Sequence, residues 1–187
     1  MEGARPVTSD KDQPVSLNVN ALADVLLGAL QWGLWGRLGW LEIRRRYRRT
    51  TIGPFWSAIS LGLFVIALGL VGSGLWNQKA GEYMTFLAAG FVVWVMISSM
   101  LVESCMMFVQ SGNIFGQVQL KYSVLAYALV WRNAIVFAHN FVVYLILMLI
   151  YAPHFISPVA LLAVPGLLII MFNGIWVALL LGMLSLR

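Results

Sequence analysis

Charge is what this sequence has least of. Of its 187 residues only 10% are Asp, Glu, Lys or Arg, while 61% are hydrophobic. A soluble domain carries about 25% charged residues. Nineteen charges, the sum of 12 cations and 7 anions, cannot screen so much apolar surface from water, which excludes an ordinary soluble domain and leaves an integral membrane protein. Cysteine is nearly absent: Cys105 stands alone, which rules out an intramolecular disulfide and a cysteine metal cluster. Residues 1–20 are polar, contain Pro6 and Pro14, and lack a basic-then-apolar leader. A cleaved signal peptide is therefore not indicated, and the chain is expected to insert through its own spans.

The motifs of chemistry are missing too. The sequence offers no Ser–His–Asp set, no phosphate-cradling G-x-x-x-x-G-K-[ST] and no acidic pair suited to a pocket. No enzyme activity, cofactor or metal site is expected in this chain. If nucleotide energy is used, ATP and Mg would be bound by a partner.

The charges that exist are unevenly placed. Of the 12 cations behind the net charge of +5, six fall between Arg37 and Arg49, whereas from Thr50 to Leu186 the only charged residues are Lys79, Glu82, Glu103, Lys121 and Arg132. One cationic block beside an apolar region reads as a membrane-surface flank and not as a nucleic-acid patch.

Residues 1–20 form a polar tail that is expected to be disordered. Over 21–49, Leu27, Leu30, Leu34, Leu38 and Leu41 recur at helical spacing, Trp32, Trp35 and Trp40 add interface-seeking rings, and arginines close the segment. The spacing predicts an amphipathic helix lying in the membrane interface, with Asn20 as its cap and Asp24 against its first-turn dipole. Gly53 and Pro54 mark a break and a helix start. Four apolar stretches follow within 50–187 and are expected to span at about 55–76, 83–109, 124–151 and 159–184. The second is longer than a perpendicular crossing needs, so it tilts or runs on into the cytoplasm. Ser111 to Ser123 is the longest polar interruption after the arginine block and reads as a loop. The fold class is thus all-α, one interfacial helix followed by four transmembrane helices. Counting cations on the two sides puts the amino terminus in the cytoplasm.

Polar residues within the spans require a partner or a purpose. Glu103 lies twenty residues past Tyr83, roughly 30 Å down a helix, and Arg132 lies eighteen residues before Ile150, about 27 Å from the same face. The matched depths suggest an ion pair between adjacent antiparallel spans, the alternative being that each snorkels separately to the headgroups. His139 and Asn140 sit nearer the midplane and are read as helix–helix hydrogen-bonding groups, with lining of a polar passage as the second reading.

Ile43 to Trp56 (IRRRYRRTTIGPFW) resembles the signature of ABC-2-type permeases that export cell-surface polysaccharide, in which an interfacial helix ends in R-Y-x-x-[ST]-x-L-G-P-x-W. Arg46, Tyr47, Thr50, Gly53, Pro54 and Trp56 match, with Ile52 in the Leu position. Leu87 to Trp94 (LAAGFVVW), Gln119 to Tyr122 (QLKY) and Val130 to Asn140 (VWRNAIVFAHN) extend the resemblance. It implies a homodimeric permease, with a cytoplasmic ABC ATPase on each protomer, that exports lipid-linked O-antigen, lipopolysaccharide, capsule or related glycan across the bacterial inner membrane. By this resemblance, Asn113, Gln117, Gln119 and Lys121 would face the ATPase. Arg45, Arg46, Tyr47, Arg48, Arg49, Thr50, Gly53, Pro54 and Trp56 would lie near the substrate portal, where arginines could attract a pyrophosphate. The family has six spans, so a chain stopping at Arg187 is expected to lack the last two. The competing readings are an ABC-2-type permease for a drug or small lipid, and a membrane scaffold or enzyme acting on lipid-linked sugars, which would need a catalytic grouping near the interface.

Overall fold

A computed structural model of the chain describes residues 21–48, 53, 55–115, 121–153 and 158–186. Every regular element among them is helical: α1 (Ala21–Leu30), α2 (Trp32–Tyr47), α3 (Phe55–Trp76), α4 (Ala80–Phe115), α5 (Tyr122–Tyr151), a 3-10 turn (Pro158–Leu162) and α6 (Ala163–Leu184). Helices α3 to α6 are each long and apolar enough to cross a membrane, since about 20 apolar residues suffice. The chain is an all-helical membrane protein with two shorter helices ahead of four candidate spans.

The amphipathic segment is two helices and not one. At Gln31 the backbone leaves helical geometry (φ −84°, ψ 42°). The Gln31 N–H donates back to the Gly28 carbonyl at 3.1 Å, and its own carbonyl accepts from Leu34 and Trp35. Glycines at 28, 33 and 36 make this stretch a poor helix former, so a break here costs little.

Gly53 adopts φ +61°, a conformation that glycine takes without the cost a Cβ imposes, and its carbonyl accepts the Trp56 N–H at 3.2 Å as α3 begins. On α3 the buried residues Ala58, Leu61, Val65, Gly69 and Gly72 recur at spacings of three and four, while Ile59, Leu63, Phe64, Ile66 and Leu70 are exposed. A helix apolar on every face but packed on only one is suited to lipid on the others. Asn77, at φ 51°, turns the chain into α4; Asn tolerates that region better than other side chains do.

Helix α4 has 36 residues, about 54 Å of rod against a hydrocarbon core near 30 Å. It does not stop at Val109. Residues 111–115, expected as the start of a loop, continue the helix to Phe115. The polar interruption marked where the apolar run ended, and helical backbone bonds do not end with it. Residues 116–120 lie outside the described part.

Helix α5 touches each of the other five helices. From Ser123 to Val130 it is buried at every position except Tyr127, so this end of the helix is wrapped by protein and not by lipid. One core joins α4, α5 and α6 through Met100, Phe108, Leu129 and Ala178. A second joins α3, α4 and α5 through Val65, Met84, Val92 and Leu147, and Phe137 packs against both.

The last α-helix begins at Ala163, four residues later than the apolar run suggests. Pro165 has no N–H to donate back along a helix, so it fits only in the first turn; residues 158–162 take the tighter 3-10 form instead.

Candidate functional site

The site begins with two charges one helical turn apart. Glu42 and Arg46 stand at i and i+4 on α2, on the same side of the helix. That side carries Gly39, where an added Cβ would lie 2.9 Å from the Ala128 carbonyl oxygen. The glycine lets α2 lie backbone to backbone on α5, with Ile43 buried beside it at 4% exposure. Trp35 is held between Tyr127 and Trp131, ring centroids 6.0 and 5.9 Å away.

The preceding helix is tied to the same partner. The Asp24 carboxylate accepts the Ser123 N–H at 3.2 Å, Ser123 Oγ donates to the Asp24 carbonyl at 2.8 Å, and the Tyr127 hydroxyl donates to the Val25 carbonyl at 3.2 Å. Asp24 thus serves an open N–H at the start of α5, where a negative charge also suits the helix dipole. Its expected part, at the start of its own helix, is not its only one.

Docking in this way places Glu42 and Arg46 over the spans. Arg46 Nη2 donates to Glu103 Oε1 at 2.5 Å, and Arg132 Nη2 donates to Glu103 Oε2 at 2.6 Å. Asn133 Nδ2 donates to the same Oε2 at 2.9 Å, and Arg132 also pairs with Glu42. The result is a chain of four charges from three helices, Arg46–Glu103–Arg132–Glu42, two of each sign. Its inner members, Glu103 and Arg132, have side chains 15% and 13% exposed, while Arg46 is 48% exposed. Burying two opposite charges is costly unless each finds several partners, and here Glu103 has three.

The expected pairing of Glu103 with Arg132 is present. Arg46, Glu42 and Asn133 join it, beyond what the matched depths predict. The i, i+4 spacing of Glu42 and Arg46 is the one signal of them in the sequence.

Under the last turns of α2 lies a cleft of about 440 Å³. Glu42, Arg45, Arg46, Glu103 and Arg132 form its ionic side; Val102, Met106, Leu125 and Leu129 form its apolar side. Arg45 makes no ion pair among the described residues.

The other predicted residues are dispersed. Tyr47 ends α2, Arg48 follows as an exposed cap, Gly53 makes the turn, and Trp56 opens α3 with 58% exposure. Arg49, Thr50 and Pro54 lie outside the described residues, as do Gln117 and Gln119. Asn113 is in the final turns of α4, and Lys121 is the extended residue ahead of α5.

Asn140 is 1% exposed, and its Oδ1 accepts from Ser57 Oγ at 3.2 Å. His139 Nδ1 lies 2.7 Å from the Ile135 carbonyl, and the His139 ring meets Phe55 edge-on at 5.1 Å. Asn140 thus makes the expected hydrogen bond between helices, whereas the His139 hydrogen bond stays within α5 and only its ring contact with Phe55 crosses to α3; neither residue lines the cleft. Among the described residues no three His, Cys, Asp or Glu side chains converge in a way that could hold a metal.

Fold and site together define a helical membrane protein whose first two helices are held to the spans by hydrogen bonds and a chain of ion pairs. No family model matches the chain, and comparison with curated proteins and with solved structures returns no match.

Proposed function

We propose that this chain is the membrane subunit of an ATP-driven exporter of the ABC-2 type, moving a lipid-linked cell-surface polysaccharide across the bacterial inner membrane. The observation that carries the reading is the run from Arg46 to Trp56. It resembles the signature of those permeases, and it falls between a surface helix held against the spans and the first span itself. Gly53, at φ +61°, fits a motif that needs glycine at that turn.

In this reading the amino terminus is cytoplasmic and α1–α2 lie in the inner interface. Exposed Trp32, Trp40 and Leu41 support that placement, because such rings and apolar side chains are stable at headgroup level. The chain works as a homodimer, and a cytoplasmic ABC ATPase holding ATP and Mg docks at 111–123. The long α4 supports this docking site, since its length exceeds the hydrocarbon core. Asn113, Gln117, Gln119 and Lys121 are the contact residues.

The test is to delete the gene, complement it, and measure surface glycan, together with co-purification of its product with ABC ATPases encoded near it. Loss of glycan on deletion and ATPase stimulation in the complex are expected. Unchanged glycan and no associated ATPase would remove the proposal. Stimulated ATPase with unchanged glycan would instead favour export of a drug or small lipid.

A further inference from the structure

The cleft beneath α2 has two chemically different ends. Its ionic end holds three cations, Arg45, Arg46 and Arg132, against two anions, Glu42 and Glu103. The ion pairs use two of each sign, leaving Arg45 unmatched and one positive charge over. Arg46, beside it, is half exposed and engages Glu103 through one Nη only, so its other donors stay open. Surplus charge and open guanidinium donors on neighbouring side chains both favour an anion with several oxygen acceptors.

The other end is apolar, and two of its residues face outward. Val102 is 69% exposed and Met106 is 53% exposed, both on a helix long and apolar enough to span a membrane. The cleft therefore opens toward the side of α4 where acyl chains would lie. Its volume, about 440 Å³, lies in the ~300–1,000 Å³ range of small-molecule sites. A soluble phosphate would use only the arginine end; an amphiphile uses both.

We propose that the cleft between α2, α4 and α5 binds one anionic phospholipid of the surrounding leaflet, its phosphate at Arg45 and the half-exposed Arg46 and its glycerol–acyl junction along Val102 and Met106. The bound lipid staples α2 to the spans from below. This site does not depend on the transport reading, only on the chain lying in a membrane.

The experiment uses the full chain in detergent, with lipid binding counted by native mass spectrometry and stability read by thermal melting. The probes are dioleoylphosphatidylglycerol, dioleoylphosphatidylcholine and inorganic phosphate. One phosphatidylglycerol per chain should bind in preference to phosphatidylcholine and raise the melting temperature, while inorganic phosphate at the same concentration should not. Arg45→Gln should weaken binding about fivefold, the contribution of a single cation beside an anionic lipid. Met106→Trp, which fills the apolar end without altering charge, should abolish it. Arg44→Gln is the control, since Arg44 is exposed on the same helix and does not line the cleft; it should bind as the unaltered chain does. Equal binding of the two lipids would overturn the proposal, as would equal losses in Arg44→Gln and Arg45→Gln, or no loss in Met106→Trp. Stabilisation by inorganic phosphate alone would overturn the lipid assignment.

Discussion

Arg46 on α2 and Glu103 on α4 are 57 residues apart in sequence and 2.5 Å apart in space. This contact joins the surface helix to the spans, and it is unequal: Glu103 is largely buried, whereas Arg46 is half exposed. Removing one partner is therefore not equivalent to removing the other.

Glu103→Gln or Arg132→Met leaves a charge with reduced compensation among buried neighbours, and each is expected to cost about 3–5 kcal/mol. The double substitution should cost clearly less than the sum of the two. Denaturation in mild detergent, run as a double-mutant cycle, measures this; additive losses would disprove the pair.

Arg46→Gln removes a charge that water already screens, so its effect should be at most about 1 kcal/mol at low salt. The difference in melting temperature from the unaltered chain should shrink as salt is raised tenfold. A penalty independent of salt would mean that Arg46 acts through packing and not through its charge.

Gly39→Ala pushes a methyl group toward the Ala128 carbonyl, where its Cβ would be 2.9 Å away, and Gly36→Ala meets nothing within 4 Å. The first should loosen α2 from α5 at a cost of about 1–3 kcal/mol. The second should be neutral or stabilise the helix by up to ~1 kcal/mol. Limited proteolysis near the arginine block, compared between the two variants, reads the docking directly.

Ser57→Ala removes the hydroxyl that donates to Asn140. Hydrogen bonds between membrane helices average about 0.6 kcal/mol, so a small loss in thermal melting is expected. A change of several kcal/mol would show a larger polar network than this pair.

If the proposed ABC-2 reading holds, replacing Gln117, Gln119 and Lys121 together by Ala should release the proposed ATPase in pull-down while leaving the melting temperature of the chain unchanged. Retained association would move the docking surface elsewhere.

The spans were legible because lipid imposes a simple rule, and α3 occupies Phe55–Trp76 where its apolar run lies. The end of α4 was not legible. Ser111, Gly112 and Asn113 interrupt the apolar run, and hydropathy reports where a helix leaves the hydrocarbon and not where it stops. Matching depths made the Glu103–Arg132 pair readable, since antiparallel neighbours share a scale. Arg46 and Glu42 were invisible as its partners because nothing in a single sequence says where a surface helix lies down. Asp24 and Ser123, 99 residues apart, were hidden for the same reason, and the break at Gln31 was hidden by a leucine stripe that continues on both sides of it.

Order of synthesis gives the ion pairs another meaning. Glu42 and Arg46 precede Glu103 and Arg132 in the chain, so α2 is made before either of the charges it meets on the spans. Likewise Asp24 and Val25 are made long before Ser123 and Tyr127, the groups that tie α1 to α5. Seating of the first two helices is therefore a late step of assembly: the earliest helices of the chain reach their final place only after α5 has been made.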